Sequence, residues 1–314
     1  MNLAHLHLLL NHVPTVGFAV GLCLFLAGLL QKDEKIQRVS LGILFAVAVL
    51  CIPAYLTGVA ASEILQDRPG ISGELMEAHQ DAALSAFALM ELAGGLAWLA
   101  LWQFRRYAAA ARPLLIAIVL VSAGAFALMA QAANLGGGIR HPEIVSLDEA
   151  AATAPVINTA WLKTSTLRSF INDTSWVWPA SEAIHFIGLG LAFGVVLLLN
   201  LRVLGMMKGV SFADLHRALP WGMIGFAINL VTGMLFFIGV PGQYTNNAPF
   251  QWKIVCLVLL GANLIYFTSL TDPWRVEAGA DAPRSVKVMA ASAIVLWLGV
   301  VYFGRMLPYL GGAY

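Results

Sequence analysis

Apolar stretches of about 20 residues, each long enough to cross the hydrocarbon of a bilayer, recur eight times along this chain. They run over Leu8–Leu30, Leu41–Ala61, Ala82–Trp102 and Pro113–Asn134, then Trp178–Leu204, Leu219–Val240, Trp252–Leu270 and Val286–Leu307. Strand alternation, the mark of a membrane barrel, is absent, and helices are the remaining way to satisfy backbone groups in lipid. Composition agrees. Charged residues make up 11% of the chain and mean hydropathy is +0.80, against about 25% charged in soluble domains. That leaves too little polar surface to coat a body in water. The sequence therefore predicts an all-α, polytopic membrane protein with eight transmembrane helices in two four-helix bundles.

The connections set the orientation. Lys32, Lys35, Arg38, Arg105, Arg106, Arg112, Arg202, Lys208, Arg217, Arg275, Arg284 and Lys287 all fall on one side, 12 of the 18 basic residues. The other side is acidic, with Glu63, Asp67, Glu74, Glu77, Asp81, Glu143, Asp148, Glu149 and Asp173. The positive-inside rule then places both ends outside the cytoplasm, in the periplasm of a bacterial inner membrane. A net charge of +1 without a basic run gives nucleic acid no footprint. The N-terminus has no basic n-region and reads as retained. Cys23, Cys51 and Cys256 all lie inside apolar runs, and no C-x-x-C-H heme-attachment motif occurs.

Three parts follow: a membrane half over 1–135, a periplasmic connecting segment over 136–177 and a second half over 178–314. The connecting segment opens on GGGIRHPE, read as a flexible turn. Ser146 is read as a helix N-cap, and INTAWLKTSTLRSF as a helix lying at the headgroup level. A histidine soon after the outer end of each half's first span, His12 and His185, suggests distant repeats.

Six of the seven histidines (His5, His7, His12, His79, His141 and His185) lie at or near the outer face. Imidazole within lipid needs a partner, and neutral imidazole is a common metal ligand. His12 and His79, at similar depth on parallel spans, are the preferred pair, as axial ligands of heme b or as ligands of another metal. Gly17, Gly21, Gly94 and Gly95 offer room for a macrocycle. The competing reading makes both histidines headgroup hydrogen-bonders and the glycines helix-packing residues. His5 and His7 read as solvated, and His216 on the cytoplasmic side as solvated or in contact with headgroups. His185 is a third candidate for cofactor binding, with Glu182 three residues before it on the same face to orient its ring. Glu91, about ten residues into the third span, is the deepest acid. It reads as a proton relay or cation ligand, or as a protonated acid bonded to Asn134, Gln131 or Asn229. Lys253 and Arg305 suit a propionate or a lipid phosphate, or snorkel to the interface.

The motifs LHLLLNHVPTVG, EAHQDAALSAFALMELAG and GGGIRHPE together resemble a four-helix bacterial membrane family without an assigned activity. WPASEAIHFIGLGLAFGVVLLLNLRVLG with FQWKIVCLVLLGANLIYF resembles a second such family. Each likeness covers about half the chain. Both families are similar to membrane b-type cytochromes in carrying histidines near helix ends. The chain departs from a diheme cytochrome b in lacking two stacked histidine pairs per bundle.

The resemblance and the histidine pattern imply a b-type-cytochrome-like membrane subunit. It would exchange electrons with a periplasmic cytochrome or with a quinone. The alternative is a non-redox subunit that anchors or stabilises other membrane-complex subunits. A transporter should carry charged groups near the midplane of both halves, and only Glu91 fits. Neither a nucleophile–base arrangement nor a nucleotide loop is present, so an electron-transfer or scaffold subunit is favoured over an autonomous enzyme.

Overall fold

A computed structural model describes residues 3–66, 68–69, 71–140, 159, 162–267 and 278–310. These residues contain helices and no strand, and eight helical spans are long and apolar enough to cross a membrane. The chain forms two compact units, Met1–Arg168 and Ser169–Tyr314, each with four of the spans. It is an all-α, multi-pass membrane protein.

In the first unit, span one is α1 (Leu3–Leu10), a π-helical turn (Val13–Gly17) and α2 (Phe18–Leu30). Pro14 lies in that turn. It has no N–H to donate, so the ladder loosens there. Spans two to four are α3 (Glu34–Leu65), α4 (Gly73–Tyr107) and α5 (Arg112–Arg140). Asp33 caps α3 by accepting from the N–H groups of Lys35 and Ile36, and Ser72 caps α4 through the N–H of Leu75.

The helices meet through small residues. A Cβ on Gly94 would lie 2.3 Å from that of Ala48, one on Gly17 2.9 Å from Val47, and one on Gly21 3.0 Å from Leu44. These three glycines seat helix against helix, so they do not line a space for a macrocycle. Nothing lies within 4 Å of Gly95.

GGGIR is helical: α5 runs unbroken to Arg140 where a flexible turn was expected. Ser146 and His141 lie outside the described residues, as does most of the connecting segment. Its last part contains α6 (Thr164–Asp173). In the first unit Asp81 accepts from the backbone N–H of Thr164 at 2.8 Å, capping α6, and the Ser165 hydroxyl donates to Glu77 at 3.1 Å.

The second unit contains α7 (Val177–Leu204), the short α8 (Phe212–Leu215) and α9 (Leu219–Gly239). The short α10 (Gly242–Thr245), α11 (Ala248–Ile265) and α12 (Arg284–Leu310) follow. Glycines bring α7 and α9 together: a Cβ on Gly225 would stand 2.6 Å from the Ala192 nitrogen. Asn263 links α11 to α12 by donating to the Met289 carbonyl and the Ser292 hydroxyl. Arg202 is wholly buried and donates to the carbonyls of Val210 and Ala280, drawing two connections onto the end of α7.

Candidate functional site

The first unit carries two imidazoles, each docked in the same way on a helix that packs against its own. His7 of α1 donates its Nδ1–H to the carbonyl of Ala54 on α3 at 2.9 Å. His79 of α4 donates its Nδ1–H to the carbonyl of Ala132 on α5 at 2.8 Å. Four residues after each acceptor stands a glycine on which the ring lies. A Cβ on Gly58 would meet His7 Cε1 at 2.9 Å, and one on Gly136 would meet His79 Cε1 at 3.1 Å. An alanine carbonyl followed one helical turn later by glycine is therefore a twice-used seat for an imidazole.

The chemistry follows from the tautomer. A carbonyl only accepts, so each neutral ring carries its proton on Nδ1 and presents Nε2 as a lone-pair donor. No further protein hydrogen bond engages either ring among the described residues. Two imidazoles from separate helices, each with its Nδ1–H held by a carbonyl, suit a heme iron or another metal. Among the described residues no group of three or more His, Cys, Asp or Glu is gathered for a metal ion.

This arrangement differs from the pair expected from sequence. His12 is exposed beside the π-helical turn, while the residue read as solvated, His7, is the one seated on a neighbouring helix, as His79 is. His7 and His12 are five residues apart and so project from different sides of the span, and the packing of α1 against α3 decides which of them faces inward. Glu77 and Asp81 do not hold the His79 ring, since both carboxylates are engaged with the start of α6.

Deeper in the same unit, the Glu91 Oε1 is buried with no hydrogen-bond partner among the described residues. It lies twelve residues beyond His79 on α4, about 18 Å along the axis. The hydroxyls of Ser85 and Ser122 and the indole nitrogen of Trp98 are likewise buried and unpartnered. Asn229, one of the expected partners of Glu91, donates to the Gly225 carbonyl.

In the second unit His185 is half-buried on α7, and its Nδ1 stands 2.7 Å from the Thr232 hydroxyl. Thr232 gives its single proton to the Ile228 carbonyl at 2.7 Å, so it accepts from His185. The ring also lies 5.6 Å from that of Phe236. Glu182 does not orient His185: it accepts from the Trp178 indole at 3.2 Å. Lys253 of α11 has its Nζ over Gly304 of α12, 3.7 Å from where a Cβ would stand, and it has no hydrogen bond or ion pair among the described residues. His216, expected in solvent, is 2% exposed within a short 3₁₀ turn.

Outside the spans two groups among the described residues are shifted. Burial, with the Glu182 charge, pushes the Tyr244 hydroxyl up to about 12. Hydrogen bonds from Lys208 and Lys287 hold Asp281 down at about 2.

Compared with family models, curated proteins and solved structures, the chain matches none.

Proposed function

We propose that the chain is a b-type-cytochrome-like subunit of a bacterial inner membrane, with both ends periplasmic, exchanging electrons with a periplasmic redox partner or a quinone. In this reading His7 and His79 would hold the heme iron, in place of the pair His12 and His79. A heme bound there supplies one-electron transfer. The protein's own residues do the rest. Ala54 and Ala132 hold the Nδ1 protons, which orients the rings and raises their basicity toward iron. Gly58 and Gly136 let each ring approach its seat. Both imidazoles lie at the acidic, outer ends of α1 and α4, which favours exchange with a partner on that side.

The observation that carries this reading is the matched docking of the two imidazoles with Nε2 left available on both. The experiment is a reduced-minus-oxidised visible spectrum of the purified chain expressed with adequate heme supply. A low-spin b-type spectrum is expected. It should be lost or converted in His7→Ala and in His79→Ala, and retained in His12→Ala. A heme-free wild-type protein would overturn the reading and leave the anchoring subunit ahead. So would a spectrum that survives His7→Ala and disappears in His12→Ala.

A further inference from the structure

The turn between α2 and α3 opens a cleft of about 550 Å³ lined by Gln31, Lys32, Asp33, Glu34, Lys35 and Arg38. Three of these are cations and two are carboxylates, and both carboxylates are engaged. Asp33 accepts from the N–H groups of Lys35 and Ile36, and Glu34 holds Arg38 at 3.2 Å. The Arg38 guanidinium is also held over the Phe104 ring of α4, 5.0 Å from its centroid. One cation of the cleft is thus fixed in place by the fold, and Lys32 and Lys35 bring two more to the same space. Lys32 stands where glycine is usual. Its N–H bonds to the Leu29 carbonyl at 3.2 Å and that of Asp33 to the Gly28 carbonyl at 3.0 Å, a helix stop whose turning residue is left-handed. Lys32 takes that conformation at φ 55°. Glycine would serve the backbone there with less strain, so what lysine adds is its ammonium.

The cleft lies at the edge of the lipid-facing surface. Leu30, immediately before it at the end of α2, is 84% exposed. Val39, one turn after Lys35 on the same face of α3, is 62% exposed. Apolar side chains exposed on a membrane span meet acyl chains, so the three cations stand where hydrocarbon gives way to headgroups.

We propose that this cleft binds the phosphate of an anionic phospholipid through Lys32, Lys35 and Arg38. Phosphate oxygens accept from ammonium and guanidinium donors alike. A free phosphate offers the same oxygens, but only a lipid also covers the apolar face that Val39 presents below Lys35. A zwitterionic headgroup carries its own ammonium, which offsets the attraction, so net charge selects the anionic lipid. The inference needs only that the chain spans a bilayer. It is independent of what the histidines hold and of which side faces the cytoplasm.

The test is native mass spectrometry of the full chain in detergent, titrated with dioctanoyl phosphatidylglycerol and, separately, with dioctanoyl phosphatidylcholine. Lys32→Gly and Lys35→Gln should each weaken phosphatidylglycerol about fivefold and leave phosphatidylcholine unchanged. Lys287→Gln, which removes a cation from the second unit, should alter neither. Lys32→Gly keeps the bend that the helix stop requires, so its thermal unfolding should be at or above that of the wild type. Weakened lipid binding in a variant at least as stable as the wild type then reports the lost ammonium and not a damaged fold. Unchanged phosphatidylglycerol affinity in both Lys32→Gly and Lys35→Gln would overturn the proposal. An equal loss in Lys287→Gln would overturn it too, by showing diffuse attraction to the whole basic face. Displacement of phosphatidylglycerol by an equal concentration of inorganic phosphate would assign the cleft to a free anion and overturn the lipid.

Discussion

Gly58→Ala tests the imidazole seat directly, and α3 carries its own control. A methyl added at Gly58 lands 2.9 Å from His7 Cε1, whereas one added at Gly42 meets nothing within 4 Å. Carbon atoms in comfortable contact stand about 3.5–4.0 Å apart, so at Gly58 the ring must move. It can swing on its own torsions, and the swing breaks the 2.9 Å bond to the Ala54 carbonyl. Losing that bond, with a donor left in an apolar setting, costs about 1–3 kcal/mol. Against this, Gly→Ala inside a helix gains about 1 kcal/mol. Gly42→Ala should therefore be neutral or stabilising, with Gly58→Ala about 1–3 kcal/mol below it. Unfolding in mixed micelles measures both. A double-mutant cycle with His7→Ala assigns the cause, since removing the ring removes the collision. The coupling should recover about 1–3 kcal/mol. Equal effects at Gly42 and Gly58, or a coupling near zero, would refute the seat.

Two further outcomes follow from groups elsewhere in the fold. Glu91→Met should raise stability in the same unfolding assay by up to about 3 kcal/mol, because it replaces an unpartnered buried oxygen with an apolar chain. Glu91→Gln should lower proton-coupled activity while leaving assembly intact, and loss of assembly with Gln would assign Glu91 a structural role instead. Asp281 is held at about 2, below its ordinary 3.8, by Lys208 and Lys287. Its contribution to stability is thus fully present above its ordinary value and is lost as pH falls through about 2. A carboxyl NMR titration should give that midpoint, and Lys208→Met should move it up; a midpoint at the ordinary value in the wild type would refute the two-lysine clamp.

Span number and helical class were legible in the sequence because they depend on local quantities. Twenty apolar residues in a row have few alternatives in lipid, and no tertiary contact is needed to reach that conclusion. His79 and His185 were legible as candidates for a similar reason: a polar ring near the end of an apolar run stands out without knowledge of its neighbours. What the sequence could not rank was His7 against His12. Five residues separate them, about 0.4 of a turn more than one full turn of helix, so the two rings leave the span on different sides. Which ring faces inward is a matter of rotation, and rotation is set by packing against α3.

The glycines show the same limit. Gly94, Gly58 and Gly42 look alike in sequence, yet a Cβ on the first would strike Ala48, on the second His7, and on the third nothing. The spacing of Ala54 to Gly58 and of Ala132 to Gly136 was a visible signal, but small residues four apart occur throughout helix-packing faces. Only the approach of a particular imidazole from another helix turns that spacing into a seat. Glu182 was a plausible ring partner for His185 by helical periodicity, yet it is taken by the Trp178 indole four residues before it, and the His185 ring goes to Thr232 of α9. Periodicity along one helix determines which residues share a face; the partner across the gap is decided by the neighbouring helix, whose register no local pattern encodes.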